Sequence, residues 1–107
     1  MLKRGEQNDD DERLRHVRAR IDEVSEEETS RKLGELTIVT EVSEPSEGTI
    51  RVRFTPLSAY SPTAVDLGRR IRKAVEGEPG VMSVVVECTG HMQDELVNKL
   101  VNGETAR

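Results

Sequence analysis

Hydrophobic residues recur along the chain with two different periods, and each period predicts a type of element. The clearest case is the alternation of Ile50, Val52 and Phe54 with Arg51 and Arg53. Strict alternation is typical of a strand that buries one face. A shift of one residue would bury both arginines, so the sequence predicts a strand with a well-defined register.

A second strand is predicted just before this one, because Leu36, Ile38 and Val42 share one parity. Residues 44–48 are rich in turn formers and end with Gly48, which predicts a hairpin between the two strands. A third strand is predicted over residues 81–88. Its inward parity consists of Met82, Val84, Val86 and Cys88.

Val85 lies on the opposite parity of this third strand. An apolar residue on both faces is typical of a strand that is covered on both sides. We therefore expect the third strand to be central in the sheet.

Three segments show helical spacing instead. Residues 9–26 carry one narrow apolar stripe, formed by Leu14, Val17, Ile21 and Val24. Such a stripe predicts a helix that docks on the core of its own chain, and a short dimerising helix is the alternative.

A second helix is predicted to begin at Ser61, with Ser61 as the N-cap and Pro62 at the first helical position. Its apolar face continues to Val75, and Gly77 is placed to end it. The amides and dipole of this helix start would favour an anion or a thiolate. The basic residues of its exposed face are either a solvated surface or a docking patch: Arg69, Arg70, Arg72 and Lys73.

A last helix is predicted over residues 91–101, ending before Gly103. The side chains expected to pack from it are Met92, Leu96, Val97, Leu100 and Val101.

The remaining segments are expected to lack regular structure. Residues 1–8 are expected to form a disordered lead and residues 104–107 a tail, while residues 25–32 are expected to be a loop or short helical turn with a solvated run at 26–28. The predicted order is α-β-β-α-β-α. We expect one α+β domain over residues 9–103, with helices packed on a small three-stranded mixed sheet.

Composition excludes several functional classes. Of 107 residues, 34% are hydrophobic and 35% are charged, and the net charge is −5. An acidic chain is a poor general binder of nucleic acid. A single cysteine excludes an internal disulfide and any four-thiolate metal site within one chain. No apolar run approaches the length of a membrane span or a signal peptide, so we expect a cytoplasmic protein that is not embedded in a membrane.

Residues near the C-terminus suggest candidate chemistry. Cys88, His91 and Glu95 could share a metal ion through thiolate, imidazole and carboxylate ligands. Cys88 could equally be a small buried hydrophobe, and His91 could cap its helix or contact a loop. Ser61 and His91 could form a nucleophile and base, but nothing in the sequence orients the histidine. We expect no enzymatic activity.

Several of these segments, in this order, resemble one family: the iron–sulfur cluster assembly domain of SufT, of PaaD and of the eukaryotic cytosolic iron–sulfur targeting-complex subunit. The matches cover roughly residues 17–102. Residues 24–27 stand at the family's D-P-E segment with Glu27 kept, and residues 51–56 lead into the family loop. Residues 89–100 are similar to the T-H-x-x-E-x-x-V-N-K-x-L segment, with Glu95 one position out of step.

The resemblance implies a functional loop and a C-terminal motif. The loop residues are Thr55, Pro56, Tyr60, Ser61, Pro62 and Thr63, and the C-terminal motif residues are His91, Glu95 and Asn98. Ser61 stands where the family has its reactive cysteine, so this chain lacks that thiolate.

The resemblance therefore implies an assembly or targeting factor that acts mainly as an adaptor or scaffold in apo-protein maturation. Implied partners are iron–sulfur assembly proteins or apo clients, with a homodimer left open. No resident cofactor is expected, although iron or an iron–sulfur cluster could bind transiently. The alternative is a protein-interaction or regulatory domain that keeps the fold without metal chemistry.

Overall fold

Strand β4 (Thr49–Phe54) is the centre of a three-stranded sheet with the order β3-β4-β5. The computed structural model describes the backbone of residues 2–103 and the side chains of residues 12–103. β3 (Val39–Ser46) pairs with β4 antiparallel, and β5 (Ser83–Cys88) pairs with β4 parallel. The predicted mixed sheet and α+β class are confirmed.

Alternation along β4 has the predicted effect on burial. Ile50, Val52 and Phe54 have no exposed surface, whereas Arg51 and Arg53 form ion pairs with Glu87 on the outer face. The hairpin from β3 turns at Glu47 and Gly48, and Gly48 adopts a positive φ of 82°. Burial of the inward parity therefore fixes which face of β4 is turned to the core.

Helices α1 (Leu2–Asp22), α2 (Ala64–Glu76) and α3 (Asp94–Asn102) complete the fold. The core unites residues from all three helices with the inward residues of the sheet. Val17 and Ile21 of α1 are buried in that core, so the apolar stripe of α1 docks on its own chain. Among the described helices, none is both long and apolar enough to cross a bilayer.

Several predicted boundaries were wrong. α1 begins at Leu2, so residues 2–8 are helical instead of forming the expected disordered lead; they include good helix formers such as lysine, arginine, glutamate and glutamine. α1 ends at Asp22 instead of residue 26, because Ser25–Glu26 forms β1, which pairs with β2 (Arg31–Lys32). The predicted tail over residues 104–107 lies outside the described residues.

β5 is an edge strand, so the prediction of a central strand was wrong. Val85 is exposed on the uncovered face of the sheet, and Met82 lies before the strand and is also exposed. The outer edge of β5 is closed by side chains of α3. Asn98 exchanges hydrogen bonds with the backbone of Cys88, and Asn102 does the same with Val86.

Candidate functional site

The loop after β4 and the turn before α3 meet at one end of the molecule. His91 Nε2 lies 2.9 Å from the carbonyl oxygen of Ser61, and the backbone N–H of Met92 donates to the carbonyl of Ala59 at 2.8 Å. These two contacts bring the loop of residues 55–63 against the C-terminal motif. The loop and the start of the C-terminal motif therefore lie side by side.

The sequence predicted Ser61 as the N-cap of α2, and this prediction was wrong. The helix begins at Ala64, Thr63 occupies the N-cap position, and no side chain makes a capping hydrogen bond there. The hydroxyl of Ser61 instead donates to Glu28 Oε2 at 3.1 Å and lies 3.3 Å from Thr63 Oγ1. The Ser61 hydroxyl, which the N-cap preference of serine would place on a first-turn amide of α2, is thus bonded to a distant part of the chain instead.

The acidic run at residues 26–28 is held in place rather than merely solvated. Glu26 is buried, and its carboxylate accepts hydrogen bonds from the N–H groups of Glu28 and Thr29 and from the Thr29 hydroxyl. Burial would raise the pKa of Glu26, but these hydrogen bonds outweigh it and hold the pKa below its ordinary value. This fixed turn presents Glu28 to Ser61.

Glu27 ties the same turn to α2. Its carboxylate pairs with Arg70, whose guanidinium also donates to the carbonyl of Ser25 and pairs with Asp66. Arg72 likewise pairs with Glu76 within α2. The basic face of α2 is thus largely engaged within the chain, which disfavours its interpretation as a docking patch.

Cys88 lies at the end of β5 and is buried. Burial raises the pKa of its thiol to about 11, and the nearby negative charge of Asp94 acts in the same direction. Metal ligation and nucleophilic attack both need the thiolate, which this environment disfavours. The structure favours the interpretation of Cys88 as a small buried hydrophobe.

His91 uses both ring nitrogens for backbone contacts. The N–H of Gln93 donates to Nδ1 at 3.0 Å, which leaves the ring proton on Nε2 to donate to the Ser61 carbonyl. The ring therefore faces the carbonyl of Ser61 and not its hydroxyl. No serine–histidine pair of the hydrolase type is formed between these two residues.

The predicted metal ligands do not form a ligand set. Cys88 is buried, His91 is engaged on both nitrogens and Glu95 is exposed on α3. Within the part of the chain that the structure describes, no group of three or more histidine, cysteine, aspartate or glutamate side chains is placed to hold a metal ion. Cys88, His91 and Glu95 are thus not placed to bind one metal ion together.

The other loop residues support the site in different ways. The hydroxyls of Thr55 and Thr89 lie 3.0 Å apart, which joins the ends of β4 and β5. Pro56 is buried, Pro62 is exposed, and the side chain of Tyr60 is 73% exposed. Tyr60 is therefore available for contact with a partner.

Met92 and Leu96 were predicted to pack in the core, and this was wrong. Both are exposed, while Val97 and Val101 of the same segment are buried. Met92 lies before α3, which begins at Asp94 and not at residue 91, and Leu96 lies about 100° around the helix from Val97, outside the face that Val97 and Val101 bury. An acidic pair at 94 and 95 could have signalled the later start, since acid favours the first helical turn.

Sequence reasoning missed the contacts of two residues, Glu28 and Asn102. Glu28, the partner of Ser61, was taken as part of a solvated run, and Asn102 was taken only as part of the end of the last helix. The signal for the asparagines was their spacing, because Asn98 and Asn102 are four residues apart and share one helix face. No signal in the sequence pairs Glu28 with a residue 33 positions away.

Comparisons with known proteins identify the fold. The chain is similar to a solved structure described as a domain of unknown function, DUF59, from Bacillus anthracis. The two share 14% sequence identity with a TM-score of 0.71, over 94% of this chain and 97% of that chain. No protein-family model and no curated protein matches the chain. At this identity the likeness establishes the shared fold alone.

Proposed function

We propose that this protein is an iron–sulfur cluster assembly or targeting factor that works as an adaptor, through contacts with other proteins rather than through a metal of its own. The fold is that of a DUF59 domain, and DUF59 is the family of the SufT-like and PaaD-like iron–sulfur assembly domain. The sequence resemblance points to the same family. The loop and the C-terminal motif of that resemblance meet in one place.

One observation carries the adaptor role: Ser61, at the position of the family's reactive cysteine, and the predicted ligands His91 and Cys88 are each bonded or buried within the chain. Ser61 is bonded to Glu28, His91 spans two backbone groups, and the Cys88 thiol is buried with a raised pKa. The site keeps its shape without offering a free thiolate. A scaffold needs that shape and does not need the thiolate.

A genetic complementation experiment tests this proposal. Deletion of the gene should lower the activity of iron–sulfur enzymes in the host while enzymes without a cluster keep their activity. Wild-type protein and Cys88→Ala should restore the lost activity equally well, because the proposed role does not use the thiol. The matched variant is His91→Ala, which removes one of the two hydrogen bonds between the loop and the turn before α3 and should restore less at equal protein level.

Two results would contradict the proposal. Unchanged iron–sulfur enzymes after deletion would favour the alternative, an interaction or regulatory domain that keeps the fold without this pathway. Failure of Cys88→Ala to complement, with its folded level unchanged, would show that the thiol is used and that the protein carries metal or sulfur.

A further inference from the structure

Exposed large hydrophobic side chains are concentrated at one end of the described chain. Leu57 and Tyr60 lie in the loop before α2 and are 50% and 73% exposed, while Met92 and Leu96 at the start of α3 are 63% and 47% exposed. The hydrogen bond from Met92 N–H to the Ala59 carbonyl holds the two segments together. We refer to these four residues as the end patch.

Single exposed apolar residues are ordinary, but a cluster of them marks a contact surface. The two other large hydrophobics that are exposed among residues 12–103, Met82 and Val85, lie elsewhere, next to and within β5. The end patch thus combines exposed apolar side chains from two segments that a backbone hydrogen bond holds together.

Strand addition is disfavoured as the route of partner binding, because both edges of the sheet are protected. Asn98 and Asn102 occupy the free backbone groups of Cys88 and Val86 on β5. β3 carries two register shifts and Pro45, and Arg18 donates to the Val42 carbonyl. Bulges, prolines and side-chain cover are devices that keep edge strands from pairing with other chains.

Charge beside the end patch indicates the chemistry of its partner. Asp94 and Glu95 lie between Met92 and Leu96 in the chain, and all four residues line the same open depression on the surface. Neither acidic side chain has a basic partner within ion-pair distance among residues 12–103. A second copy of this chain, docked by the same patch, would bring these carboxylates toward their own equivalents at a net charge of −5.

We infer that the end patch docks a segment of a partner protein in which apolar or aromatic side chains are flanked by lysine or arginine. The apolar side chains would cover the end patch, and the cations would face Asp94 and Glu95. This inference deepens the proposed function, since it rests on an adaptor role and specifies the surface and the partner chemistry through which that role is performed.

Two synthetic peptides test the inference directly. Each contains the same leucine and phenylalanine residues, flanked by lysines in one peptide and by glutamates in the other. We expect the lysine peptide to bind the full chain and to shift backbone amide resonances at residues 57–60 and 92–96. The glutamate peptide should bind at least about tenfold more weakly.

The chain offers a matched pair of methionines for the variant test. Met92→Ser removes an end-patch side chain, whereas Met82→Ser removes a side chain that is 84% exposed but lies elsewhere. Met92→Ser should weaken lysine-peptide binding about tenfold and Met82→Ser should leave it unchanged. Asp94→Asn combined with Glu95→Gln should weaken it and reduce its dependence on salt.

The inference is overturned if the lysine peptide does not bind, if resonance shifts lie outside the end patch, or if Met82→Ser weakens binding as much as Met92→Ser. The proposed function fails separately. Peptide binding at the end patch together with unaffected iron–sulfur enzymes in the deletion strain would leave the docking surface intact and reject the pathway. Full restoration of those enzymes by Met92→Ser combined with Leu57→Ser would reject the docking surface alone.

Discussion

The side chain of Asn98 makes the two backbone hydrogen bonds to Cys88 that a neighbouring strand would make. Its Oδ1 accepts the Cys88 backbone N–H at 2.6 Å, and its Nδ2 donates back to the Cys88 carbonyl at 3.3 Å. Asn102 makes the same pair of hydrogen bonds with Val86, two residues earlier in β5. Helix α3 thereby satisfies an edge of the sheet that would otherwise present unpaired backbone groups.

Asn98→Ala should destabilise the protein by about 1–3 kcal/mol, because it leaves the buried N–H of Cys88 without an acceptor. Urea unfolding measures the loss, and analytical ultracentrifugation shows whether the opened edge promotes self-association. Lys99→Ala, a change to an exposed residue of the same helix, is the control and should cost much less. An Asn98→Ala protein as stable as the control would contradict the role given to this pair.

The Cys88 thiol should react slowly with alkylating reagents in the folded protein. It is 1% exposed and its pKa is raised to about 11, so at mildly alkaline pH little thiolate is present and little of it is accessible. Alkylation by iodoacetamide, followed by mass spectrometry with and without urea, measures this protection. Equal rates in the folded and unfolded protein would show that Cys88 is accessible.

Acid should destabilise the fold through carboxylates that are bonded in the native state. Hydrogen bonds from Arg20 lower the pKa of Glu78 from its ordinary value of 4.5; burial opposes this, and His16 adds to the lowering. A carboxyl group whose pKa is lowered by folding binds fewer protons in the folded protein than in the unfolded chain. Its contribution to stability is therefore fully present above pH 4.5 and is lost as the pH falls through the lower folded pKa. Glu87, held by Arg51 and Arg53, acts in the same direction.

Glu78→Gln isolates one of these contributions. The variant should be less stable than the wild type at neutral pH, and the difference should shrink as the pH falls below 4.5. Urea unfolding over a series of pH values measures both proteins. A difference that stayed constant down the series would show that the effect of the substitution does not depend on the charge of Glu78.

The bond between Ser61 and Glu28 should couple the loop to the β1–β2 turn. Ser61→Ala and Glu28→Ala should each destabilise the protein modestly, by about 0.5–1.5 kcal/mol. The double variant should lose less than the sum, because both changes remove the same hydrogen bond. A double-mutant cycle by urea unfolding measures the coupling, and strict additivity would contradict a direct interaction between the two side chains.

Hydrophobic patterns predicted correctly the elements whose position depends only on which side chains are buried. β4 was read correctly because Ile50, Val52 and Phe54 are all fully buried on one face. β5 was placed wrongly in the sheet because three consecutive valines indicate cover on both faces, whereas its edge is closed by polar side chains that no hydrophobic pattern reveals.

The site was harder to predict because its contacts join distant parts of the chain. Ser61 satisfies the local rule for an N-cap, but the rule does not include Glu28, which lies 33 residues earlier. Met92 and Leu96 match a helical period, but Met92 lies before the start of α3 and the core packs against the face of Val97 and Val101 instead. Tertiary contacts, rather than local propensity, decide the roles of these three residues.

The central claim, that this chain works without a metal ligand of its own, is tested most directly by anaerobic reconstitution with iron and sulfide. Metal analysis and visible absorption would be measured on the wild type and on Cys88→Ala. We predict no stoichiometric iron in either protein, because the Cys88 thiol is buried and His91 is engaged on both nitrogens. Stoichiometric iron in the wild type that is lost in Cys88→Ala would contradict the account and show that the protein is a carrier.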